Sequence, residues 1–177
     1  MGDAMKLTLL CALALQELLT GGQSYNERFV EKHYQDRFET CMNVAQLSED
    51  QGLDPMLAVS TALTESKFNK RAVSSAGAVG PLQILPKYFC PKERGVECDL
   101  ALAGVHALQR FLSKYGNEHD ALCHYNAGNK CGKQAHRYAR RILKRRDRWK
   151  RQLEKPHWSQ VFTLIQCHSC PLCCVKK

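Results

Sequence analysis

Glu65 is the residue whose position in this chain most directly suggests chemistry. It follows a stretch, residues 55–64, that contains no charged side chain. The helical spacing i, i+4, i+7 gives three residues a common face: Ala58, Ala62 and Glu65. A carboxyl above small apolar side chains loses solvent, which raises its pKa toward the range that a general acid needs near neutral pH. The alternative is a solvent-exposed glutamate that pairs with Lys67 or Lys70.

Three short blocks in the chain have a recognisable order and separation. Residues 65–69 read Glu-Ser-Lys-Phe-Asn, and residues 125–128 read Tyr-Asn-Ala-Gly. Between them, residues 74–86 are rich in Gly, Ser and Pro, a composition typical of a tight loop, where function often lies. Together the blocks resemble the lytic transglycosylase family with a goose-lysozyme-like catalytic domain, glycoside hydrolase family 23. The resemblance covers residues 38–143.

This resemblance implies a peptidoglycan lytic transglycosylase with Glu65 as its single acid and base. In that reaction Glu65 protonates the oxygen of the β-1,4 bond between N-acetylmuramic acid and N-acetylglucosamine. As a carboxylate it then takes the proton from the muramic C6 hydroxyl, which attacks the anomeric carbon. The product is a 1,6-anhydromuramic end, formed without water. The resemblance implies peptidoglycan glycan strands as the partner and no cofactor.

Four further residues match substrate-binding positions of the family. By resemblance, Ser74 contacts the sugar beside the acid, and Gln83 hydrogen-bonds substrate in the cleft. Tyr125 and Asn126 match the Tyr-Asn pair that lines the same site, where the ring offers either a phenol near Glu65 or a face for the sugar. An alternative for Tyr125 is core packing with a hydrogen-bonded hydroxyl.

The chain departs from the family pattern in the loop and near the Tyr-Asn pair. The common Gly-Leu-Met-Gln is Gly-Pro-Leu-Gln at 80–83, and Pro81 removes a backbone donor and fixes φ, so the loop path is left open. Leu82 for Met is a mild apolar exchange. His124 precedes Tyr125 where the family has alanine, and it is either a titrating neighbour or a solvent-facing or hydrogen-bonded histidine.

A second carboxylate in the cleft would change the reaction. Two-carboxylate glycosidases activate water or form a covalent intermediate. The candidates for such a group match no motif: Glu93, Glu97 and Asp99. We therefore expect transglycosylation assisted by the N-acetyl group of the substrate. The alternatives are a hydrolytic muramidase, which would leave reducing ends, and a non-catalytic module that binds the cell wall.

The elements that must carry these residues are helices. Apolar spacing and capping residues predict helices at about 26–51, 55–66, 99–115, 119–126 and 133–153, and no segment alternates with period two. We predict a mainly α protein, a single lysozyme-like helical domain with a substrate cleft. It spans residues 26–153, with the core motifs at 54–128 and a basic helix at 132–153.

Positive charge is concentrated in one segment. The chain has a net charge of +9, and residues 132–155 alone carry an excess of nine Lys and Arg over acidic residues. This segment predicts contact with an anionic envelope surface, or it is simply a solvated helix face. A nucleic-acid-binding protein is a further alternative. The predicted export signal and the paired cysteines, described next, argue against it because both point away from the cytosol.

Both ends of the chain and its cysteines bear on location. Residues 1–22 have the apolar run of a signal peptide, which predicts export to the periplasm or cell envelope. Of ten cysteines, two pairs flank short loops and are candidate disulfides, in agreement with an oxidising compartment: Cys90 with Cys98 and Cys123 with Cys131. The alternative is four buried thiols.

The C-terminal tail, residues 156–177, is appended to the domain. It contains four cysteines within eight residues: Cys167, Cys170, Cys173 and Cys174. A structural zinc site normally joins two distant pairs, so we expect an oxidised or disordered tail and assign no metal. The setting of the enzyme is left open between a secretion or conjugation machine and a bacteriophage lysin.

Overall fold

The computed structural model describes residues 3–20, 27–92 and 97–154, and these residues form helices and loops. The seven helices of this part of the chain are α1 (Asp3–Thr20), α2 (Glu27–Asp50), α3 (Pro55–Glu65), α4 (Pro86–Phe89), α5 (Leu100–Tyr115), α6 (Glu118–Ala127) and α7 (Lys133–Leu153). In the described part of the chain, β-type pairing is limited to two isolated antiparallel bridges in the loop before α4. The predicted mainly α class is confirmed.

The central helix, α3, is defined by local sequence at its start. Asp54 accepts a hydrogen bond from the Met56 amide at 2.9 Å, and Pro55 occupies the first helical position. Every residue from Leu57 to Leu63 is buried, because α1, α2 and α7 all pack against this helix. The absence of charge in its sequence therefore reflects a position in the core.

The helices that follow α3 also begin and end where capping residues indicate. Asp99 accepts hydrogen bonds from two amides of the first turn of α5, and Gly116 ends that helix in the left-handed conformation. Asn117 caps α6 through the amide of Asp120. Arg146 of α7 then binds Glu118 with two 2.8 Å hydrogen bonds, which joins α7 to the start of α6.

The first helix packs as part of the core, although its sequence predicts an export signal. Leu10 and Leu15 are buried against the domain, and Cys11 forms a disulfide with Cys41 of α2. Glu17 pairs with Arg145 of α7 at 2.9 Å. The structure thus gives residues 3–20 a structural role in the folded chain, while removal of residues 1–22 stays a prediction. In the described part of the chain, none of the helices has the length and apolar character required to cross a bilayer.

The structure contains both candidate disulfides, Cys90–Cys98 and Cys123–Cys131. The first joins the end of α4 to the segment before α5, and the second joins α6 to the segment before α7. The third disulfide, Cys11–Cys41, was not predicted. The predictions for the Cys-rich tail at 156–177 lie outside the described residues.

Candidate active site

A cleft of about 720 Å³ opens beside the end of α3 and brings all five predicted site residues together. They come from three parts of the chain, the end of α3, the loop before α4, and α6: Glu65, Ser74, Gln83, Tyr125 and Asn126. The three sequence blocks thus lie on one surface, because the loop is hydrogen-bonded both to the end of α3 and to α6.

The backbone turns sharply directly after Glu65, so that the carboxyl stands at the edge of the cleft. Lys67 and Phe68 both have positive φ, 55° and 61°, which is uncommon for residues other than glycine. Two contacts hold the turn: the Phe68 ring is buried, and Arg37 of α2 donates a hydrogen bond to the Lys67 carbonyl. Strain of this kind persists where surrounding contacts fix it.

The environment of Glu65 favours the protonated acid. Burial raises its pKa to about 6, while a hydrogen bond donated by the Tyr138 hydroxyl opposes this rise. The expected upward shift is confirmed. The alternative from the sequence was a solvent-exposed Glu65 that pairs with Lys67 or Lys70. Lys70 forms its ion pair with Asp36 instead, at 3.3 Å.

The loop between Glu65 and α4 folds back on itself through its own backbone. Ser74 accepts a 3.0 Å hydrogen bond from the Ala78 amide on its side-chain oxygen, and its own amide donates to the Ala78 carbonyl at 2.8 Å. Val79 and Ile84 exchange two backbone hydrogen bonds across the next turn. Ser74 therefore shapes the loop as well as lining the cleft.

Gly80 is required where the loop approaches α5. Its φ is +77°, and a Cβ added there would lie 2.7 Å from the Cβ of Leu100. Gln83 donates both side-chain N–H groups to loop carbonyls, to Gly80 at 3.0 Å and to Ala72 at 3.2 Å. In this geometry its Oε1 is the group that can contact a sugar, as an acceptor of a hydroxyl proton.

Two hydrogen bonds fasten this loop to the helices that carry the other site residues. The Ser66 hydroxyl donates to the Pro81 carbonyl at 2.8 Å, and the Tyr125 hydroxyl donates to the Leu82 carbonyl at 2.6 Å. The sequence left the path of the loop open at Pro81, because proline has no backbone N–H to donate. The structure fixes this path through backbone carbonyls that accept hydrogen bonds, so the missing N–H is not needed.

Tyr125 combines the two interpretations given to it from sequence. Its hydroxyl is hydrogen-bonded, and its ring meets Phe111 edge to face at 5.5 Å while still lining the cleft. Burial, with the nearby Glu65 charge, raises the pKa of Tyr125 well above its usual value. His124 stacks on Tyr115 at 4.1 Å and its Nδ1 lies 2.6 Å from the Gly128 carbonyl oxygen, in accord with the hydrogen-bonded alternative.

The remaining wall suits a polar polymer with flat sugar faces. Tyr88, exposed over 60% of its surface, and Phe89 offer aromatic surface, while Arg110 and Lys114 contribute positive charge. Among the described residues that line the cleft, Glu65 is the only carboxylate.

The other candidate carboxylates are not part of this wall where the structure describes them. Asp99 is occupied as the cap of α5, and Glu97 does not line the cleft. Glu93 lies outside the described residues.

Within the described part of the chain, one group of side chains has the arrangement of a metal site. Cys123, Cys131 and His136 have ligand atoms within 4.8 Å of one another. The two sulfurs are joined as a disulfide, however, and thiolate is the form that ligates a metal. We assign no metal to this group.

Sequence reasoning missed the residues that support Glu65 from other helices. Tyr138 of α7 was not among the predicted site residues, although its hydroxyl donates to the Glu65 carboxyl. Arg145 donates to the Thr64 hydroxyl at 2.6 Å and to the Ser60 carbonyl at 3.1 Å, in the last turns of α3. A polar atom within an otherwise apolar helical face was the available signal for Tyr138.

The fold and the cleft together define a lysozyme-like helical domain with one half-buried acid in its cleft. The family model of the transglycosylase SLT domain matches residues 42–147, so the chain belongs to the transglycosylase SLT domain family. No solved structure matches the chain. Membership of this family means that the protein acts on peptidoglycan and works at the cell envelope or outside the cell.

Proposed function

We propose that the protein is a lytic transglycosylase that cleaves the β-1,4 bond between N-acetylmuramic acid and N-acetylglucosamine, with Glu65 as its acid and base. The observation that carries the proposal is a half-buried carboxyl, with a pKa of about 6, as the only acid among the described residues of the cleft. Such a group is partly protonated near neutral pH and can serve in both forms within one turnover.

In the first step the Glu65 proton passes to the glycosidic oxygen. The bond from that oxygen to the muramic anomeric carbon breaks, and N-acetylglucosamine leaves with a free hydroxyl. The carbonyl oxygen of the substrate's own N-acetyl group forms a bond to the anomeric carbon in its place, so the enzyme needs no second carboxylate. The low-dielectric surroundings of Glu65 raise its pKa, so a fraction of the acid is still protonated near neutral pH and can supply this proton.

In the second step the Glu65 carboxylate removes the proton of the muramic C6 hydroxyl. That oxygen attacks the anomeric carbon and displaces the N-acetyl oxygen, which closes the 1,6-anhydro ring and returns Glu65 to its acid form. We assign sugar contacts to the other residues of the cleft: Ser74, Gln83, Tyr125 and Asn126. The Oε1 of Gln83 would accept a hydrogen bond from a sugar hydroxyl, and the Tyr125 ring would pack against a sugar.

The test is digestion of purified sacculi followed by mass analysis of the released muropeptides. Wild-type protein is expected to give anhydro ends, and Glu65→Gln is expected to lose activity by about a thousandfold. The variant should melt no lower than wild type at neutral pH, because a neutral amide avoids the cost of burying a charge. Glu97→Gln, an exposed carboxyl outside the cleft, is the matched control and should retain full activity.

Other outcomes would each remove a specific part of the proposal. Reducing ends in place of anhydro ends would make the protein a muramidase that uses water. Undiminished cleavage by Glu65→Gln would exclude Glu65 from its role. Binding of sacculi by wild-type protein with no turnover would leave a non-catalytic module that binds the cell wall.

We further propose that the protein is exported to the periplasm or the cell envelope. The two disulfides outside residues 1–22, Cys90–Cys98 and Cys123–Cys131, support an oxidising compartment whether or not that segment is removed. The apolar N-terminal segment predicted as a signal peptide is compatible with this location. Mass measurement of the protein purified from the envelope fraction, with and without reduction, would test this location. Cysteines paired in disulfides gain hydrogen when they are reduced, so the mass should rise on reduction.

A further inference from the structure

The outer face of α7 is a continuous stripe of positive charge, here called the outer stripe. Its members follow the spacing i, i+4, i+7, i+11, i+15, i+18, with one adjacent arginine: Lys133, Arg137, Arg140, Arg141, Lys144, Arg148 and Arg151. All seven are exposed. At 1.5 Å per residue the stripe is about 27 Å long. The one acidic residue of α7, Asp147, lies beside it and pairs with Arg146 at 2.6 Å.

The outer stripe lies opposite the face of α7 that supports the active site. Tyr138, Ile142 and Trp149 are buried on the inner face, and Tyr138 contacts Glu65 there. None of the seven cations lines the catalytic cleft. A partner held on the outer stripe would therefore leave the cleft open to a glycan strand.

The charges of the outer stripe are largely uncompensated within the described part of the chain. Arg148 pairs with Glu17, and the other six members form no salt bridge there. The contrast with the two neighbouring arginines is clear, since Arg145 and Arg146 turn inward and pair with acids of α1, α3 and α6. Uncompensated like charges on one helix face repel one another, so a nearby polyanion would relieve an existing cost.

We propose that the outer stripe binds the phosphate groups of an anionic phospholipid surface and holds the enzyme against a membrane with its cleft free. Five of the seven members are arginines, whose planar guanidinium groups bind phosphate through paired hydrogen bonds. A straight row of charges fits a flat array of headgroups, and a cluster of Lys and Arg side chains binds anionic headgroups through charge alone.

Nucleic acid fits the outer stripe less well. None of the fully exposed residues of α7 has an aromatic side chain that could stack on a base, and the proposed envelope location separates the protein from nucleic acid. None of these fully exposed residues is apolar, so none could insert into a bilayer. Binding is therefore expected to be electrostatic, reversible and strongly weakened by salt.

The experiment measures binding to vesicles made of equal parts phosphatidylglycerol and phosphatidylcholine, with vesicles of phosphatidylcholine alone as the neutral reference. The test variant is Arg137→Gln/Arg140→Gln/Lys144→Gln in the full chain. The control is Lys70→Gln/Lys87→Gln/Lys92→Gln, which removes the same charge from exposed lysines outside α7. We expect the test variant to bind anionic vesicles about a hundredfold more weakly than wild type, and the control to bind nearly as well as wild type.

Cleavage of membrane-free sacculi by the same proteins separates this proposal from the proposed function. The test variant should cleave sacculi at the wild-type rate, because the outer stripe does not line the cleft. Equal losses of vesicle binding in both triple variants would overturn the proposal, since net charge alone would then explain binding. Tighter binding of duplex DNA than of anionic vesicles, at equal phosphate concentration and equal salt, would overturn it in favour of nucleic acid.

Discussion

The helices α1 and α3 are both rich in apolar residues and both lie in the core, yet their sequences led to opposite interpretations. The α3 segment begins with an Asp-Pro capping pair and ends at Glu65, which indicates a helix within a folded domain. The α1 segment has a lysine before a run of leucines, which indicates an export signal. What ties α1 to the fold lies elsewhere in the chain, at Cys41 and Arg145. An apolar run read alone therefore does not distinguish a core helix from a leader.

The two helices are also connected through a single side chain. Arg145 donates to Glu17 of α1 through its Nε, and to the Ser60 carbonyl and Thr64 hydroxyl of α3 through its Nη1. Thr64 is the residue directly before Glu65. The end of α1 therefore contributes, through Arg145, to the position of the last turn of the helix that carries the acid.

Truncation of one buried leucine in each helix to alanine compares the two helices directly. It should have the largest effect on the free energy of unfolding among these predictions. Leu10 of α1 is 2% exposed and Leu57 of α3 is 1% exposed. In full-length chain that retains residues 1–20, Leu10→Ala and Leu57→Ala should each lower the free energy of unfolding by about 2–5 kcal/mol, because each leaves a cavity. Urea denaturation followed by circular dichroism measures both.

The control for this pair lies on α1 itself. Leu19 is 53% exposed, and Leu19→Ala should change the free energy of unfolding by no more than about 0.5 kcal/mol. If Leu10→Ala is as mild as Leu19→Ala while Leu57→Ala is costly, α1 is not part of the cooperative core. That result would restore the interpretation of residues 1–22 as a leader alone.

The sequence was informative where a structural cause is local. Helix ends at Asp54, Asp99 and Gly116 follow from caps within a few residues, so α3 and α5 could be predicted closely. The cleft residues could be predicted because they lie in short blocks with a family resemblance. The contact of Tyr138 with Glu65 spans 73 positions, and no local pattern encodes such a distance.

The loop between α3 and α4 also combines features with a local cause and features with a distant cause. Its Gly and Pro content predicted a tight path, whereas the anchors of that path come from Ser66 and Tyr125, which are 15 and 43 positions from the carbonyls they bind. The Cys11–Cys41 disulfide likewise joins two helices whose contact could not be inferred from spacing. Tertiary packing, and not propensity, determines these contacts.

Breaking the link between the two helices should have a moderate effect. The side chains of Glu17 and Arg145 are 28% and 13% exposed, so their ion pair is better shielded than a surface pair. Glu17→Gln removes the charge that both Arg145 and Arg148 bind. It should lower the free energy of unfolding by about 1 kcal/mol, since Arg145 keeps its bonds to α3. Denaturation of the full chain at low and high salt measures this.

Lys6→Gln is the matched control, because the Lys6–Asp3 pair on the same helix is 54% and 71% exposed. It should have almost no effect on stability. Equal effects of Glu17→Gln and Lys6→Gln would mean that the ion pairs from α1 to Arg145 and Arg148 contribute nothing beyond a surface pair.

The smallest expected effect concerns Glu65, the last residue of α3. It shifts the pH dependence of sacculus cleavage and does not abolish activity. The Tyr138 hydroxyl donates to the Glu65 carboxylate, which favours the charged form and lowers the pKa of Glu65. Tyr138→Phe should therefore raise the pKa of Glu65 above its value of about 6 while leaving the buried ring in position. Because the first step needs protonated Glu65, activity is lost as the pH rises through this pKa.

The alkaline limb of the rate of sacculus cleavage should accordingly move to higher pH in Tyr138→Phe. Tyr125→Phe is the informative control: it also removes one buried phenol beside the cleft, but that phenol donates to the Leu82 carbonyl and not to Glu65. It should reduce the rate through the loop and leave the limb where it is in wild type. A limb that moves equally in both variants, or moves to lower pH in Tyr138→Phe, would show that the Tyr138 hydrogen bond does not control the acid at the end of α3.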